Sequence, residues 1–160
     1  GFHIPFIHND LNSVLDFDNY DVEIFKYSNL QLGIGSDDEV CFNLPNDSVD
    51  YGRKIAAYYF WLFPNIMLNF YPWGLSVNII TPISVNETKV EFRAYIWDET
   101  KLKLGAGADL DKVELEDEKV VQNVQKGVSS RFYKSGRFSP KMEKGVHHFH
   151  TLISDFIFTT

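Results

Sequence analysis

The stretch from Ala57 to Trp97, AYYFWLFPNIMLNFYPWGLSVNIITPISVNETKVEFRAYIW, contains four runs of aromatic and β-branched residues. The runs are Ala57 to Phe63, Ile66 to Tyr71, Leu75 to Ser84 and Lys89 to Trp97. They are separated by Pro64-Asn65, Pro72-Trp73-Gly74 and Asn86-Glu87, which are residues typical of hairpin turns. The pattern therefore predicts a meander of antiparallel strands.

Further elements are predicted on both sides of this meander. Two more strands are expected at Val22 to Tyr27 and Leu30 to Ile34, and a short helix is expected within Ile7 to Phe17. The polar residues from Asp37 to Val49 indicate a loop, and Glu99 to Asp111 indicates a glycine-containing connector.

Two helices are predicted to close the chain, at about Leu115 to Phe132 and Pro140 to Phe158. Pro140 suits the first turn of the second helix. That helix carries an apolar stripe of Met142, Val146, Phe149, Ile153 and Phe156. An antiparallel sheet followed by a long C-terminal helix predicts an α+β fold of the helix-grip (START or Bet v1-like) type, with the sheet wrapped around the helix.

Length, charge and cysteine content exclude several classes of protein. The 160 residues suit one domain, and the net charge of −7 argues against a nucleic-acid partner. No apolar run approaches the roughly 20 residues that span a bilayer, so no membrane association is expected. The one cysteine, Cys41, excludes an internal disulfide and fits a reducing compartment, so a cytoplasmic location is predicted.

Asp117 is the most informative single residue of the predicted helices. At about 100° per residue, Val120, Val121, Val124 and Val128 cluster around its direction, whereas Glu116 and Glu118 point about 100° to either side, towards solvent. A carboxylate on an apolar face is costly unless it is paired, hydrogen-bonded, protonated or bound to a metal. Asp117 is therefore either a satisfied core residue or a metal ligand.

His3 and His8 offer partners for such a metal. Four residues separate them, and a regular helix would place them about 140° apart. Pro5 breaks the regular hydrogen-bond ladder, so an irregular turn could bring both imidazoles to one side. Two histidines and one carboxylate are typical of non-haem iron(II) sites.

The segment Gly1-Phe-His-Ile-Pro-Phe-Ile-His8 resembles the iron-binding signature of Rieske ring-hydroxylating oxygenase α subunits. Other stretches extend the resemblance: Phe63-Pro64-Asn65, Thr81-Pro82, Glu116-Asp117-Glu118, Val124-Gln125-Lys126-Gly127, Gly136-Arg137 and Gly145 to His150. The last stretch looks most like the branch that contains choline, carnitine and glycine-betaine monooxygenases.

The resemblance implies an oxygenase catalytic domain, with iron(II) held by His3, His8 and Asp117. It implies that O2 is activated beside a small substrate, aromatic or quaternary amine, which is hydroxylated with electrons from a Rieske [2Fe–2S] cluster. A reductase or ferredoxin donor and a homotrimer are implied as partners. Because a single cysteine cannot supply the cluster, residues 1–160 are expected to be a catalytic-domain fragment without its N-terminal Rieske domain, inactive alone.

Four residues are candidates for the substrate pocket. Met67, Asn69 and Tyr71 alternate along one strand and so share a face, and Val121 lies beside Asp117. A metal-free helix-grip module that binds an apolar molecule is the alternative function.

Other side chains that resemble site residues are given structural roles. His147 and His148 are predicted to lie off the apolar stripe of the last helix, and His150 at its edge. Asp10 is expected to point away from His8, and Cys41 is expected to fill space rather than act as a nucleophile.

Overall fold

The computed structural model describes Ile7 and residues 22–159. Within them, six strands form one sheet in which every neighbouring pair is antiparallel and the spatial order follows the chain. The strands are β1 (Val22–Ile24), β2 (Ser28–Ile34), β3 (Ile55–Leu62), β4 (Ile66–Tyr71), β5 (Gly74–Ser84) and β6 (Glu87–Ile96). The predicted meander is confirmed, because tight turns join β3 to β6 in sequence.

Two helices follow the sheet, α1 (Leu110–Val128) and α2 (Lys144–Phe158). The connector predicted at Glu99 to Asp111 holds two short 3-10 turns, Glu99–Lys101 and Gly105–Gly107. The α+β helix-grip class is confirmed. The short helix predicted within Ile7 to Phe17 lies outside the described residues apart from Ile7.

The predicted helix limits were wrong by several residues. Helix α1 begins at Leu110 rather than Leu115 and ends at Val128 rather than Phe132. Pro140 lies in a turn before α2, where the backbone N–H of Ser139 donates to Oε2 of Glu143 at 2.6 Å. This side-chain bond closes the turn locally, so the helix starts only at Lys144.

Helix α2 packs across one face of the sheet through aromatic contacts. The ring centroids of Trp61 and Phe149 are 4.9 Å apart, and those of Phe63 and Phe156 are also 4.9 Å apart. A β carbon added at Gly145 would lie 3.3 Å from Nδ2 of Asn29, so this glycine lets the helix approach β2 closely.

The apolar stripe predicted for α2 was therefore partly wrong. Phe149 and Phe156 contact the rings of Trp61 and Phe63, although Phe156 keeps 59% of its surface exposed. Val146 and Ile153 are 46% and 36% exposed and lie further from the centre of the contact with the sheet. Gly145 and the buried Leu152 take their places. The helix is rotated relative to the prediction because the contact with β2 needs a glycine, which a count of apolar residues does not register.

A buried cluster lies where the β4–β5 turn meets the start of α1. Trp73 is 2% exposed and stacks on Tyr71 with ring centroids 5.4 Å apart. Ala57 completes the cluster, and Leu110 packs against it from α1. This contact fixes the first turn of α1 over the sheet and so positions the acidic residues that follow.

Candidate metal and substrate site

Asp117 lies on the same side of α1 as the anchoring residue Leu110. The two are seven residues apart, which places them about 20° apart around the helix axis. Asp117 is half-buried, whereas Glu118 is exposed and accepts a hydrogen bond from Nε2 of Gln122 at 2.9 Å. The structure therefore turns Asp117 towards the interior, although Glu116, predicted to face solvent, is also half-buried.

Glu114 is a second acidic residue on this inner side, one turn before Asp117. Burial raises the pKa of its carboxyl to about 7, and the negative charges of Asp111 and Asp117 add to the effect. Its charge in turn helps to raise the pKa of the Tyr71 hydroxyl, so the carboxylate lies near that phenol. Two carboxylates one turn apart make this end of α1 a place where a cation is electrostatically favoured.

The other two predicted metal ligands, His3 and His8, lie outside the described residues, as does Asp10. Within residues 22–159 no group of three or more histidine, cysteine, aspartate or glutamate side chains is arranged to hold a metal ion. Asp117 therefore has the half-buried setting and acidic neighbourhood that suit a metal ligand, and its predicted histidine partners remain predictions.

Met67, Asn69 and Tyr71 lie on the face of the sheet that α2 covers. Met67 and Asn69 pair across to Trp61 and Tyr59 of β3, and Tyr71 packs its ring edge-to-face on that of Tyr59. Trp61 in turn contacts Phe149 of α2. The shared face predicted for the three residues follows directly from this register.

The same face carries polar groups that the sequence reading did not single out. Asn69 pairs across to Ser76 of β5, whose hydroxyl donates to Oδ1 of Asn78 at 3.1 Å. The hydroxyl of Tyr59 is buried and has no hydrogen-bond partner of good geometry among the described residues, although it lies close enough to Tyr71 for the two phenols to influence each other's pKa. Burial raises the pKa of both phenols, so each stays neutral and is able to donate a hydrogen bond. The register of the hairpin around Pro64-Asn65 pairs Tyr59 with Asn69, so this register would have placed Tyr59 on the same face as the predicted pocket residues.

Val121 keeps the predicted helical phase but is not enclosed. It lies about 20° from Leu110 around α1, yet it is 66% exposed. Val124 and Val128 continue the same stripe and are also exposed. Val121 was predicted to line a pocket beside Asp117, and of the four valines that cluster around the direction of Asp117 only Val120 is half-buried.

Two surface grooves lie away from these candidates. One, of about 510 Å³, is bordered by Lys26, Tyr27, Leu152, Asp155, Phe156 and Thr159. The other, of about 320 Å³, is bordered by residues 41–44 and 51–54. None of the four predicted pocket residues, Met67, Asn69, Tyr71 and Val121, borders either groove.

The histidines of α2 divide into two kinds. His147 and His150 are exposed and pack their rings against Phe138, with centroids 5.4 and 5.2 Å away. His148 was predicted to lie off the buried stripe, and this was wrong. It is half-buried, and its Nδ1 is buried without a hydrogen-bond partner among the described residues. The rotation of α2 towards Gly145 and Leu152 brings it inwards.

Cys41 is half-buried in the loop after β2. Burial, with a contribution from the charge of Glu39, raises the pKa of its thiol. A thiol with a raised pKa is a weaker nucleophile at neutral pH, which supports the predicted space-filling role. None of the described helices is long and apolar enough to cross a membrane.

Comparison with known proteins identifies relatives along nearly the whole chain. The profile described as "Ring hydroxylating alpha subunit (catalytic domain)" matches residues 1–158. The chain is 33% identical to chloroplastic choline monooxygenase of Arabidopsis thaliana, over 96% of this chain and 36% of that protein. It is 28% identical to the carnitine monooxygenase oxygenase subunit of Escherichia coli K12, over 96% of this chain and 43% of that protein. The chain thus spans 36% to 43% of the length of these two relatives.

A solved structure shares the fold. The quaternary ammonium Rieske monooxygenase CntA, crystallised with an inhibitor, superposes with a TM-score of 0.73 at 20% identity, covering 97% of this chain and 43% of that one. Together with the profile that matches residues 1–158, these relatives show that the chain belongs to the ring-hydroxylating oxygenase α-subunit catalytic-domain family.

Proposed function

We propose that this chain is the catalytic part of a Rieske non-haem iron oxygenase, in which His3, His8 and Asp117 hold one iron(II) ion. The observation that carries the proposal is the position of Asp117, half-buried on the inner side of α1 in a chain that matches the family profile from residue 1 to 158. A divalent cation bound there would offset the negative charge that Asp117 places next to Glu114 on this side of the helix.

The proposed ligands also suit the metal chemically. Two neutral imidazoles and one carboxylate would leave iron(II) with a net charge of about +1 and open coordination positions. Bound there, iron(II) would supply the site of O2 activation, while a Rieske [2Fe–2S] cluster outside this chain would supply electrons. The chain itself holds the carboxylate on a rigid helix, which Leu110 anchors to the sheet.

A quaternary amine is the substrate class that we favour over an uncharged aromatic compound. Two groups of relatives act, by their names, on choline and carnitine. Glu114 adds a carboxylate near Tyr71, and the edge-to-face pair of Tyr59 and Tyr71 adds aromatic surface beside it. A carboxylate stabilises a cation by charge, and aromatic rings add about 0.5–2 kcal/mol each through cation–π contacts.

Within this substrate site, the residues of the inner sheet face would orient the bound molecule. The neutral Tyr59 hydroxyl is a buried hydrogen-bond donor beside that of Tyr71, and the Asn69 amide stands opposite Ser76. Both suit the hydroxyl or carboxylate end of a small amine. Met67 would add apolar contact on the same face.

The electron donor and the assembly are also part of the proposal. A reductase or ferredoxin would deliver electrons, and the whole protein would form a homotrimer. Electrons pass between subunits in a structurally similar quaternary ammonium Rieske monooxygenase, which supports an assembly of several subunits. A cytoplasmic location stays a prediction.

The experiment that tests the iron site compares Asp117→Ala with Glu118→Ala in the full-length protein. Asp117→Ala is expected to lower both bound iron and substrate hydroxylation at least a hundredfold, while the visible absorbance of the Rieske cluster persists. Glu118→Ala removes an exposed carboxylate on the next position and should leave both within about twofold. If Asp117→Ala retains iron and activity, the assignment is wrong and a metal-free binding module becomes the better description.

A further inference from the structure

A surface groove lies where the turn between β1 and β2 meets the C-terminal end of α2. It has a volume of about 510 Å³ and is bordered by six residues, Lys26, Tyr27, Leu152, Asp155, Phe156 and Thr159. This volume falls within the range of about 300–1,000 Å³ that small-molecule sites occupy. None of the described residues of the proposed metal and substrate site borders it, so the proposed function gives this groove no role.

The floor of the groove is apolar. Leu152 is 7% exposed, and the rings of Tyr27 and Phe156 meet edge-to-face with their centroids 6.2 Å apart. Phe156 also packs on Phe63, which holds its ring in place. Because Tyr27 and Phe156 keep 48% and 59% of their surface exposed, an apolar group bound here would remove area from water.

The side of the groove formed by α2 is negative. Asp155 lies in the last turn of the helix, which contains no basic residue. The last carbonyl groups of a helix have no donor within the helix, and they carry the negative end of its dipole. The Asp155 carboxylate adds a full charge to this end, so a cation that donates hydrogen bonds is favoured there.

The turn between β1 and β2 supplies a positive charge to the same groove. Nζ of Lys26 lies 5.1 Å from the centroid of the Tyr27 ring, in a cation–π contact. Among the described residues, neither Lys26 nor Asp155 forms an ion pair with the other or with any third residue. A cation and an anion that are both outside ion pairs therefore border one groove with an apolar floor.

We propose that this groove binds a free amino acid with an apolar side chain. The ammonium group of the ligand would donate hydrogen bonds to the Asp155 carboxylate and to the last carbonyl groups of α2. Its carboxylate would pair with Lys26, and its side chain would cover Leu152 and Phe156. All three chemical parts of such a ligand have a counterpart in the lining.

Other small ligands fit this lining less well. Lys26 repels a ligand that carries only a positive charge, and Asp155 repels one that carries only a negative charge. A quaternary ammonium group has no N–H to donate, so it leaves the helix carbonyls unsatisfied where a primary ammonium would not. A polar side chain would leave the rings of Tyr27 and Phe156 in water.

The first test is a ligand-observed NMR titration of the full-length protein with L-leucine. We expect saturable binding with a Kd of about a millimolar, as for a ligand of few atoms in an open groove. Two analogues each lack one charge: 4-methylpentanoate has no ammonium group, and 3-methylbutylamine has no carboxylate. Each should bind about tenfold more weakly than L-leucine, or weaker still.

Substitutions then place the bound amino acid on the protein. Asp155→Asn and Lys26→Gln should each weaken the binding of L-leucine by about tenfold, with an unchanged circular dichroism spectrum and melting temperature. Glu118→Gln and Lys134→Gln make the same changes of charge at exposed positions outside the groove. These two control variants should bind L-leucine within about twofold of the native protein.

Three results would each overturn the inference. They are the absence of saturable L-leucine binding, an analogue with one charge that binds as tightly as L-leucine, and unchanged binding in Asp155→Asn and Lys26→Gln. L-leucine carries no quaternary ammonium group, and the titration measures neither iron nor hydroxylation. Failure of the amino-acid site and failure of the proposed function are therefore observed separately.

Discussion

Glu114 illustrates how a single side chain couples the site to pH. Its carboxyl is half-buried beside Asp111 and Asp117, and burial, with a further contribution from these two negative charges, raises its pKa from 4.5 to about 7. Between those two values the folded chain holds a proton that the unfolded chain has released. The folded state therefore loses stability as pH rises through this window, and the penalty is fully present above about pH 7.

We expect Glu114→Gln to remove this penalty in the iron-free protein. The variant should be more stable than the native chain by on the order of 1 kcal/mol at pH 8, a value reduced for the solvent that screens a half-exposed group. The difference should vanish near pH 4.5. Urea unfolding at the two pH values measures it, with Glu118→Gln as an exposed control on the same helix.

The opposite result is also informative for the site. If Glu114→Gln has the same effect at both pH values, the carboxyl does not titrate in this window. The inner side of α1 would then be less acidic than the positions of Asp111, Glu114 and Asp117 imply, and a cation would not be electrostatically favoured there.

At the level of elements, two glycines with opposite surroundings test the packing of α1. A β carbon at Gly107 would lie 2.8 Å from the ring of Tyr71 and closer still to Trp73, whereas a β carbon at Gly127 would meet nothing within 4 Å. We expect Gly107→Ala to destabilise the protein by about 2 kcal/mol or more through overpacking. Gly127→Ala, in a helix, should stabilise it by about 0.5–1 kcal/mol.

Thermal unfolding of the two glycine variants measures the contrast. A neutral Gly107→Ala would mean that the 3-10 turn does not press against Trp73, and the anchor that positions Asp117 would be looser than described. Gly127 serves as the control because its substitution changes backbone freedom without changing a contact.

The rotation of α2 gives a second test at this scale. Phe149 contacts Trp61, so Phe149→Ala should cost about 2 kcal/mol, below the value for a fully buried ring. Ile153, which the apolar stripe had placed in the core, is 36% exposed, so Ile153→Ala should cost less than about 1 kcal/mol. Equal losses from the two substitutions would favour the helical phase predicted from the sequence.

These elements also show which features a single sequence specifies. The strands between Ala57 and Trp97 were predictable because aromatic and β-branched runs between proline-containing breaks leave few other options. The start of α1 was not, because Gly105, Gly107 and the aspartates around them are typical of a loop. Trp73, read as part of a turn, is one of the most buried residues, because a tryptophan in a tight turn can fold back over its own hairpin.

The candidate site was only partly predictable from the sequence. The inward direction of Asp117 follows from helical periodicity and agrees with its half-buried position. Glu114 lies on the same face, but apolar periodicity gives no reason to single it out. The inward turn of His148 depends on the close approach of Gly145 to Asn29, which is a tertiary contact that no local pattern encodes.

On the scale of the whole molecule, the proposed iron site joins distant parts of the chain. His8 and Asp117 are separated by more than 100 residues, and the sheet and the buried cluster around Trp73 lie between them in sequence. A metal bound by all three ligands would therefore act as a long-range cross-link of the folded state. Because an unfolded chain rarely presents such a site, binding free energy becomes folding free energy.

We therefore expect iron(II) to raise the melting temperature of this chain under anaerobic conditions. At a free concentration of about one hundred times Kd, a ligand that binds only the folded state stabilises it by about 2.7 kcal/mol. For a domain of this size that corresponds to a rise of about 5–10 °C. Excess chelator should reverse this rise.

Two variants test whether the rise comes from the proposed site. Asp117→Ala should abolish the rise, whereas Glu118→Ala should keep it, because only the former removes a proposed ligand. A rise of equal size in Asp117→Ala would place the metal elsewhere, and no rise in the native chain would mean that residues 1–160 do not form the site.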